Sequence, residues 1–445
     1  MNLSETRSVP ISPIVSDMAT EAVYTKINRR IVPILILAYV IAFLDRTNIG
    51  YAQLQMKQTL PWSEAVYGVG AGIFFVGYLL FEIPSNLMLE KIGVRRTLLR
   101  IMVMWGLTAS AMMFVTTPTE FYIARFMLGV FEAGFFPGTI LYFTYWYPSH
   151  RRGKVFAYFM ASTVISGIVA GPLCGAILKY FDGVSGMYGW QWLYLMQGMP
   201  AAVIGILVFM VLADKPDDAT WLTDAEKRIV RESLARDDKY IGNERHATFW
   251  MMVGDFRVWM LTLVYALILA GSYTLLFWMP TLVHSWNVKD VLLVGILAAI
   301  PNAVGAAGMV MISSSSDQRR ERRWHYVGAI AIACLGLLTT AALKGSVTSS
   351  VISLSVSLFG IASLSPLVMA ISSEYLSARS AAVGIAFISG FGNIGPAVSP
   401  SINAVIIERT HDPAYSLFFI VSVYLLSALV LMIAVRRSHR QQRAG

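Results

Sequence analysis

The sequence predicts an all-α membrane protein: twelve transmembrane helices in two six-helix halves, with both termini in the cytoplasm. Three features carry that expectation. The chain is built from apolar runs of helix length, one long charged interruption falls near its midpoint, and basic residues gather in alternate loops. Of 445 residues, 56% are apolar and 14% charged, with a mean hydropathy of +0.61. A soluble domain carries about 25% charged residues, so a large water-soluble core is excluded.

The elements follow in order. Residues 1–30 are polar and mixed and read as a cytoplasmic segment; the first apolar run is too long, and too charged at its end, for a cleaved signal. Crossing about 30 Å of hydrocarbon takes roughly 20 helical residues. Six runs meet that need near 31–54, 66–89, 98–116, 119–147, 154–179 and 190–213, making an N-terminal half over 31–213. The interruption, 214–256, begins "DKPDDATWLTDAEKRIVRESLARDDKY" and reads as a surface helix with a linker. Thr223 is placed to cap that helix, with Glu226 three residues on as its reciprocal partner. Six further runs near 257–284, 290–314, 324–343, 347–373, 379–407 and 414–435 make a C-terminal half over 257–435, and 436–445 is a basic cytoplasmic tail.

The net charge of +9 raises the question of nucleic acid, and the placement of the charge answers it. The odd-numbered loops hold only Lys57, Lys179, Lys289, Lys344 and Arg409, while most of the other Lys and Arg residues lie at the termini and in the even-numbered loops. The positive-inside rule turns that bias into a topology, with anionic lipid rather than nucleic acid as the partner of the basic surface. Cys174 and Cys334 are far apart in apolar runs, which argues against a disulfide, and no Cys/His spacing points to a metal. No phosphate-binding loop, nucleophile elbow or metalloprotease motif is present, so no cofactor and no enzymatic activity are expected. A repeat supports the two halves: "NLMLEKIGVRR" after the second run and "SSSSDQRRERR" after the eighth each place an acid, Glu90 and Asp317, before a basic cluster.

Several long segments carry a resemblance. "FLDRTNIGYAQLQMKQ", "FFVGYLLFEIPSNLMLEKIGVRR", "ARFMLGVFEAGFFPGTILYFTYWYP", "YGWQWLYLMQGMPA" and "SSDQRRERRWH" are similar to the anion:cation symporter family of the major facilitator superfamily. The bacterial permeases for 4-hydroxyphenylacetate and phthalate are the nearest in character, and tartrate and galactonate transporters more distant. The resemblance implies the major facilitator fold and proton-driven uptake of a small organic anion. It also implies that coupling and anion binding fall on Asp45, Arg46, Arg125 and Glu132, with Tyr78 and Asn393 at the substrate. The chain departs from the family at Leu367 and Val368, where relatives carry an aromatic pair, at Asn302 in place of a tyrosine, and at Asn86 and Glu90 in the cytoplasmic motif.

Without the family, the ions still demand a reason, since each costs about 2.5–3.5 kcal/mol at the bilayer centre. Asp45 and Arg46 are adjacent and point about 100° apart on a helix, and Asn48 lies near Asp45 at i+3. They are either a structural ion pair with another helix or a proton carrier beside an anion-binding guanidinium; the second is the default for intramembrane ions. Arg125 and Glu132 share one face, roughly 10 Å apart along the axis, so each needs partners elsewhere, and Arg125 is expected to meet Asp45. Arg46 is expected to hold a substrate carboxylate with its planar fork, Asp45 and Glu132 to carry protons, and Arg125 to be the structural partner that sets their proton affinity.

Asn48, Tyr78, Tyr273 and Asn393 are the substrate-binding candidates, with Phe135 and Trp278 as further aromatic ones. Glu82, Glu90, Arg95 and Asp317 are expected at a cytoplasmic gate, while Arg100 and Arg257 are expected to snorkel at span ends. The function expected is a proton-coupled importer of a small organic carboxylate in the bacterial inner membrane. It would work as a monomer, with protons, the substrate anion and membrane lipids as partners. A carrier of tartrate or sugar acids and an anion exchanger or exporter are the alternatives. A sensor would need a larger soluble domain than 214–256 provides.

Overall fold

A computed structural model describes residues 13–241, 249–343, 346–376 and 381–442; the side chains of residues 13–17, 90, 237–241, 249–250, 381–382 and 435–442 are outside that description. The described residues are helical throughout and contain no strand. The first half comprises α1 (Pro13–Thr59), α2 (Glu64–Ile92), α3 (Val94–Ala111), α4 (Pro118–Glu132), α5 (Phe135–Trp146), α6 (Ser149–Tyr180) and α7 (Gly189–Val211). Next come α8 (Asp224–Ile241) and α9 (Phe249–Gly254). The second half comprises α10 (Phe256–Ser285), α11 (Val291–Arg319), α12 (Arg323–Ala342), α13 (Val347–Tyr375), α14 (Ala381–Gly392), α15 (Ile394–Thr410) and α16 (Tyr415–Gln442).

Eleven of the expected spans are helices long and apolar enough to cross a membrane, with α4 and α5 counted together as one run, Pro118–Trp146. The remaining one, expected at 379–407, is the pair α14 and α15, interrupted at Asn393. The fourth span is interrupted too, and its local cause is visible. Gly134 takes a φ of +89°, and a Cβ there would stand 2.4 Å from Ser85 Oγ, so both backbone and neighbour require glycine. α4 itself opens with a capping box, in which the Thr117 hydroxyl accepts from the Glu120 amide and the Glu120 carboxylate returns to the Thr117 amide.

Within the first half α1 packs on α6 and α7, α2 on α4, and α3 on α7; within the second, α11 and α12 pack on α13 and α10 and α12 on α16. The halves meet through α6 against α11, α2 against α15, and α1 against α10. These contacts gather toward one end. Gly171 of α6 and Gly295 of α11 face each other so closely that a Cβ on either would lie 2.1 or 2.0 Å from the other's carbonyl oxygen. Small residues let helices approach in this way where lipid gives no hydrophobic drive to associate. Lys179 and Asp290 close the same end with an ion pair of 2.5 Å between the halves. Toward the other end, which carries α8 and the N-terminal part of α1, the halves diverge, and the contact of α2 with α14 across them is slight.

The expected cap on α8 is present: the Thr223 hydroxyl accepts from the Glu226 amide at 3.3 Å and Glu226 Oε2 accepts from the Thr223 amide at 2.8 Å. The segment is a docked element more than a loose linker. Lys26 of α1 donates to Glu226, holding that carboxyl below its ordinary range, and Trp221 stacks on Trp146 at 5.7 Å beneath the Arg30 guanidinium.

The repeat seen in the sequence has a backbone counterpart. Glu90 and Asp317 are 227 residues apart, and three residues beyond each stand Gly93 and Arg320, both with positive φ, where α2 turns into α3 and α11 into α12. The same spacing reappears at the centre, where Arg46 of α1 bonds Tyr273 of α10.

A buried ion pair between the two halves

Asp45 and Arg46 part company as their helical offset requires. Asp45 turns into the first half, where its Oδ2 accepts from Trp105 Nε1 at 2.7 Å and its Oδ1 from Asn48 Nδ2 at 2.9 Å. Arg46 turns toward the second half. Its Nη2 forms a hydrogen-bonded ion pair with Glu132 Oε1, and its Nη1 donates to the Tyr273 hydroxyl at 3.1 Å. The guanidinium lies 5.5 Å from the Phe74 ring and 5.7 Å from the Tyr78 ring. The Arg46 side chain is 13% exposed and that of Glu132 2%, so the pair is largely dry. Splitting such a pair by removing one partner costs about 3–5 kcal/mol.

Glu132 is the last residue of α4, one turn of broken backbone before α5, which frees its carboxylate to reach across to α1. One oxygen meets Arg46; Oε2 has no partner among the described residues. Arg125, seven residues earlier, is 1% exposed and does not do what was expected of it. No carboxylate stands within ion-pair distance of it among the described residues. Its Nε donates to the Gly70 carbonyl at 3.0 Å and its guanidinium lies 5.1 Å from Phe74. The Phe74 ring thus has Arg125 on one side and Arg46 on another, which keeps two like charges apart within one half.

Among the expected substrate residues, Tyr78 and Tyr273 stand at Arg46. Asn48 does not. Two residues from Arg46 it points about 200° away, is 1% exposed, and spends its amide on Asp45; it supports that carboxylate instead. Trp278 is 3% exposed and lies with Gln53 and Tyr67 at the closed end, so it packs between the halves away from the ion pair. Asn393 sits in the break between α14 and α15, donating to the Ser389 carbonyl at 3.2 Å. Phe135 packs near Tyr39 and Trp105, at 6.2 and 6.1 Å. The departures also find places: Leu367 and Val368 are buried in the second half, and Asn302 donates to the Ala298 carbonyl at 2.9 Å, close to Gly167 of α6.

Of the residues expected at a gate, Arg95 and Asp317 bind within their own halves. Arg95 donates to the Phe209 carbonyl at 3.0 and 2.6 Å near the end of α7, while its own amide donates to Asp214 at 2.9 Å. Asp317 pairs with Arg322 at 2.9 Å, and Arg322 also bonds Glu374. Glu90 lies on α2 with its side chain outside the described residues. Glu82 faces α14: a Cβ built on Gly390 would lie 3.7 Å from its Oε2. Arg100 Nη2 donates to Ser85 Oγ at 3.1 Å, tying α3 to α2.

Three contributors were missed in the sequence. Tyr39 stacks on Phe159 at 4.5 Å and lies within electrostatic range of Arg46, Glu132, Tyr265 and Tyr273. Its position seven residues before Arg46, two turns up the same face, was a usable signal. Tyr265 stands in the same relation to Tyr273, eight residues earlier on α10. Trp105, which holds Asp45, had no signal, because its role depends on where α3 lies in the bundle, packed on α7 and α4.

The helices and their arrangement agree with what the chain is similar to. The Major Facilitator Superfamily matches residues 35–400. A protein of Agrobacterium vitis named "Putative tartrate transporter" is 40% identical over 427 residues, covering 96% of this chain and 94% of its own. The Pseudomonas putida protein named "Putative metabolite transport protein NicT" is 38% identical over 416 residues, 94% of this chain and 95% of its own. Among solved structures, a bacterial homologue of the human lysosomal transporter Spinster, in an inward-facing and unoccupied conformation, has a TM-score of 0.76 at 17% identity, covering 96% of this chain and 98% of that one. The protein is therefore a multi-pass transporter of the bacterial inner membrane and not an enzyme. The chain belongs to the Major Facilitator Superfamily.

Proposed function

We propose that the protein is a secondary active transporter that imports a small organic carboxylate with protons by alternating access, an aromatic acid such as 4-hydroxyphenylacetate or phthalate being favoured. The observation that carries this is the Arg46–Glu132 pair, held within the first half yet bonded through Arg46 to Tyr273 of the second. A substrate carboxylate is the natural competitor of Glu132 for the guanidinium fork. Once displaced, Glu132 is a buried carboxylate without a cation, and taking up a proton is the least costly way to remain there. Substrate binding and proton binding are thereby linked through one side chain, and both bear on the Arg46–Tyr273 bond between the halves.

Asp45 is assigned the second proton-coupling role, with Asn48 and Trp105 as its supports and Arg125 as a fixed charge behind Phe74. The aromatic walls favour an aromatic acid: Tyr78 and Tyr273 flank Arg46, and Tyr39 brings the rings of Phe135 and Phe136 with it. A carrier of tartrate or a sugar acid is the second reading, favoured by the name of the Agrobacterium relative; exchange or export is the third. The basic residues at the diverging end support a cytoplasmic position for that end, both termini and 214–256. On that orientation the halves are 31–213 and 257–435, the conformation opens inward, and the unit is a monomer.

The experiment is uptake of labelled 4-hydroxyphenylacetate, phthalate, tartrate and galactonate into proteoliposomes, with and without an inward proton gradient. Accumulation of one acid only with the gradient is expected, and gradient-independent accumulation overturns the coupling. Glu132→Gln is expected to retain substrate exchange and lose accumulation; unchanged accumulation removes Glu132 from the proton route.

A further inference from the structure

One carboxylate on the seam between the halves has no counter-charge. Glu82 lies on α2 one helical turn beyond Tyr78, about 6 Å further along the axis toward the diverging end. It is half-buried, and no donor or cation reaches it among the described residues. It continues the face of α2 on which Gly68 and Gly72 seat against α15, and it reaches α14 at Gly390 just where the two helices separate. An ion on a membrane span is ordinarily paired or functional. The other acids of the first half's interior illustrate the rule: Asp45 has Trp105 and Asn48, and Glu132 has Arg46.

We propose that the central site is bipolar: Arg46 takes the carboxylate of the substrate and Glu82 takes a cationic nitrogen at its other end. The substrate class is then an aromatic or heteroaromatic carboxylate bearing a protonated amine. The inference rests on the carboxylate site proposed at Arg46 and revises the acid preferred there, an amine-bearing aromatic acid taking precedence over 4-hydroxyphenylacetate and phthalate, which carry no amine. The geometry between the two charges suits such a molecule. Arg46 lies against the Tyr78 ring, Glu82 follows Tyr78 by one turn on the same helix, and the hydroxyl of Tyr273 marks the opposite wall. A ring stacked beside Tyr78 with its carboxylate on Arg46 therefore directs its far end toward Glu82. A charged amine there gains a charge-assisted hydrogen bond, whereas a neutral end leaves Glu82 desolvated and unpaired, which is how a site rejects an isostere. A dicarboxylate lying along the same line brings like charges together and is disfavoured.

The test is direct binding to the purified full-length protein of two probes that share a ring and a carboxylate, 4-(aminomethyl)benzoate and 4-methylbenzoate, by titration calorimetry at pH 7. Wild type is expected to bind the amine at least tenfold tighter than the methyl compound. Glu82→Gln is expected to bring that ratio close to one by weakening the amine alone, Glu82→Asp to retain part of it, and Arg46→Lys to weaken both probes. Retention of the preference by Glu82→Asp shows that loss in Glu82→Gln is not misfolding. Equal affinity of wild type for the two probes overturns the proposal and leaves the carboxylate site standing. So does a preference that survives Glu82→Gln, or a Glu82→Gln protein whose binding ratio is unchanged while the pH dependence of uptake moves, which would make Glu82 a proton-handling group. Binding of neither probe overturns the carboxylate site itself.

Discussion

The two halves of this molecule share one scaffold and divide the chemistry unequally. α1 carries Asp45 and Arg46 in its interior and α4 carries Arg125 and Glu132, all at the core of the first half. Their counterparts in chain order are nearly free of charge: α10 has Arg257 in its first turn and His284 in its last, and α13 has no ionised residue before Glu374 in its final turn. At the spacing of the repeat, Arg46 meets Tyr273, a guanidinium on one side and a phenol on the other. The lesson is physical. Buried ions are costly and must be mutually arranged, so collecting them in one half lets that half keep its pairs intact while the other half moves. The neutral half supplies a surface whose hydrogen bonds can be made and released at about 1 kcal/mol each, within the net worth of an ordinary hydrogen bond.

The widest separation between the halves is expected from Arg46→Ala set against Tyr273→Phe. Loss of Arg46 leaves Glu132 buried without a cation, so the folded protein should lose about 3–5 kcal/mol and uptake should fall to background. Loss of the Tyr273 hydroxyl removes one bond to the same guanidinium and should cost about 1–2 kcal/mol in substrate binding, roughly tenfold in KM, with stability nearly unchanged. Thermal unfolding in detergent and uptake kinetics measure both. Equal damage from the two variants would break the comparison, since it would mean that the halves contribute alike.

A second pair of variants examines the scaffold the halves have in common. Gly295→Val places a side chain where a Cβ already lies 2.0 Å from the Gly171 carbonyl, so α6 and α11 must part. With cysteines at positions 179 and 290 and the native Cys174 and Cys334 replaced by alanine, cross-linking of the closed end should slow at least tenfold in Gly295→Val. Gly328→Val, at a glycine with nothing within 4 Å of a built Cβ, should leave it unchanged.

Much of this arrangement was legible in the sequence because it is written in runs and offsets. The twelve spans follow from length and apolarity, the halves from the charged interruption and the repeat at Glu90 and Asp317, and the divergence of Asp45 from Arg46 from the helical angle alone. What was not legible depended on which helix faces which. Arg125 was expected at Asp45, yet it bonds the Gly70 carbonyl and Trp105 takes its place. A backbone acceptor leaves no mark in the sequence, and neither does the packing of α3 on α7 and α4 that brings Trp105 to Asp45. Asn48 was placed beside Asp45 at i+3 and counted with the substrate residues, and the structure shows the first relation, its amide donating to Asp45. A polar neighbour of one ion need not face the other: two residues from Arg46, the Asn48 side chain points to the opposite face. The gate residues Arg95 and Asp317 were identified by motif, and a motif does not say that in this conformation each binds inside its own half.

The smallest effect concerns the ion pair that joins the halves at their closed end. Asp290 serves two structures at once. It caps α11 by accepting from the Leu292 and Leu293 amides at 2.9 and 3.4 Å, and it receives Lys179 of α6 at 2.5 Å. The Lys179 hydrogen bond chiefly, with those amides, holds the Asp290 carboxyl below its ordinary range. A depressed acid stabilises the paired state at pH values above its unpaired range and loses that contribution as pH falls through the lowered value. The closed end should therefore loosen only in acid, below about pH 4, and it should loosen in high salt at neutral pH, because both partners are exposed and screened. Lys179→Ala should show the loosened state at every pH, a shift smaller than that of Gly295→Val. Asp290→Asn separates the two roles, since an amide oxygen still caps the helix while the charge is gone: it should match Lys179→Ala and be insensitive to acid. Distances measured between spin labels flanking the closed end, at about pH 3 and pH 7 and at low and high salt, follow all three. If Asp290→Asn stayed as acid-sensitive as the parent, the pH response would belong to the ionised half of the molecule, to Glu132 and Asp45, and not to the seam.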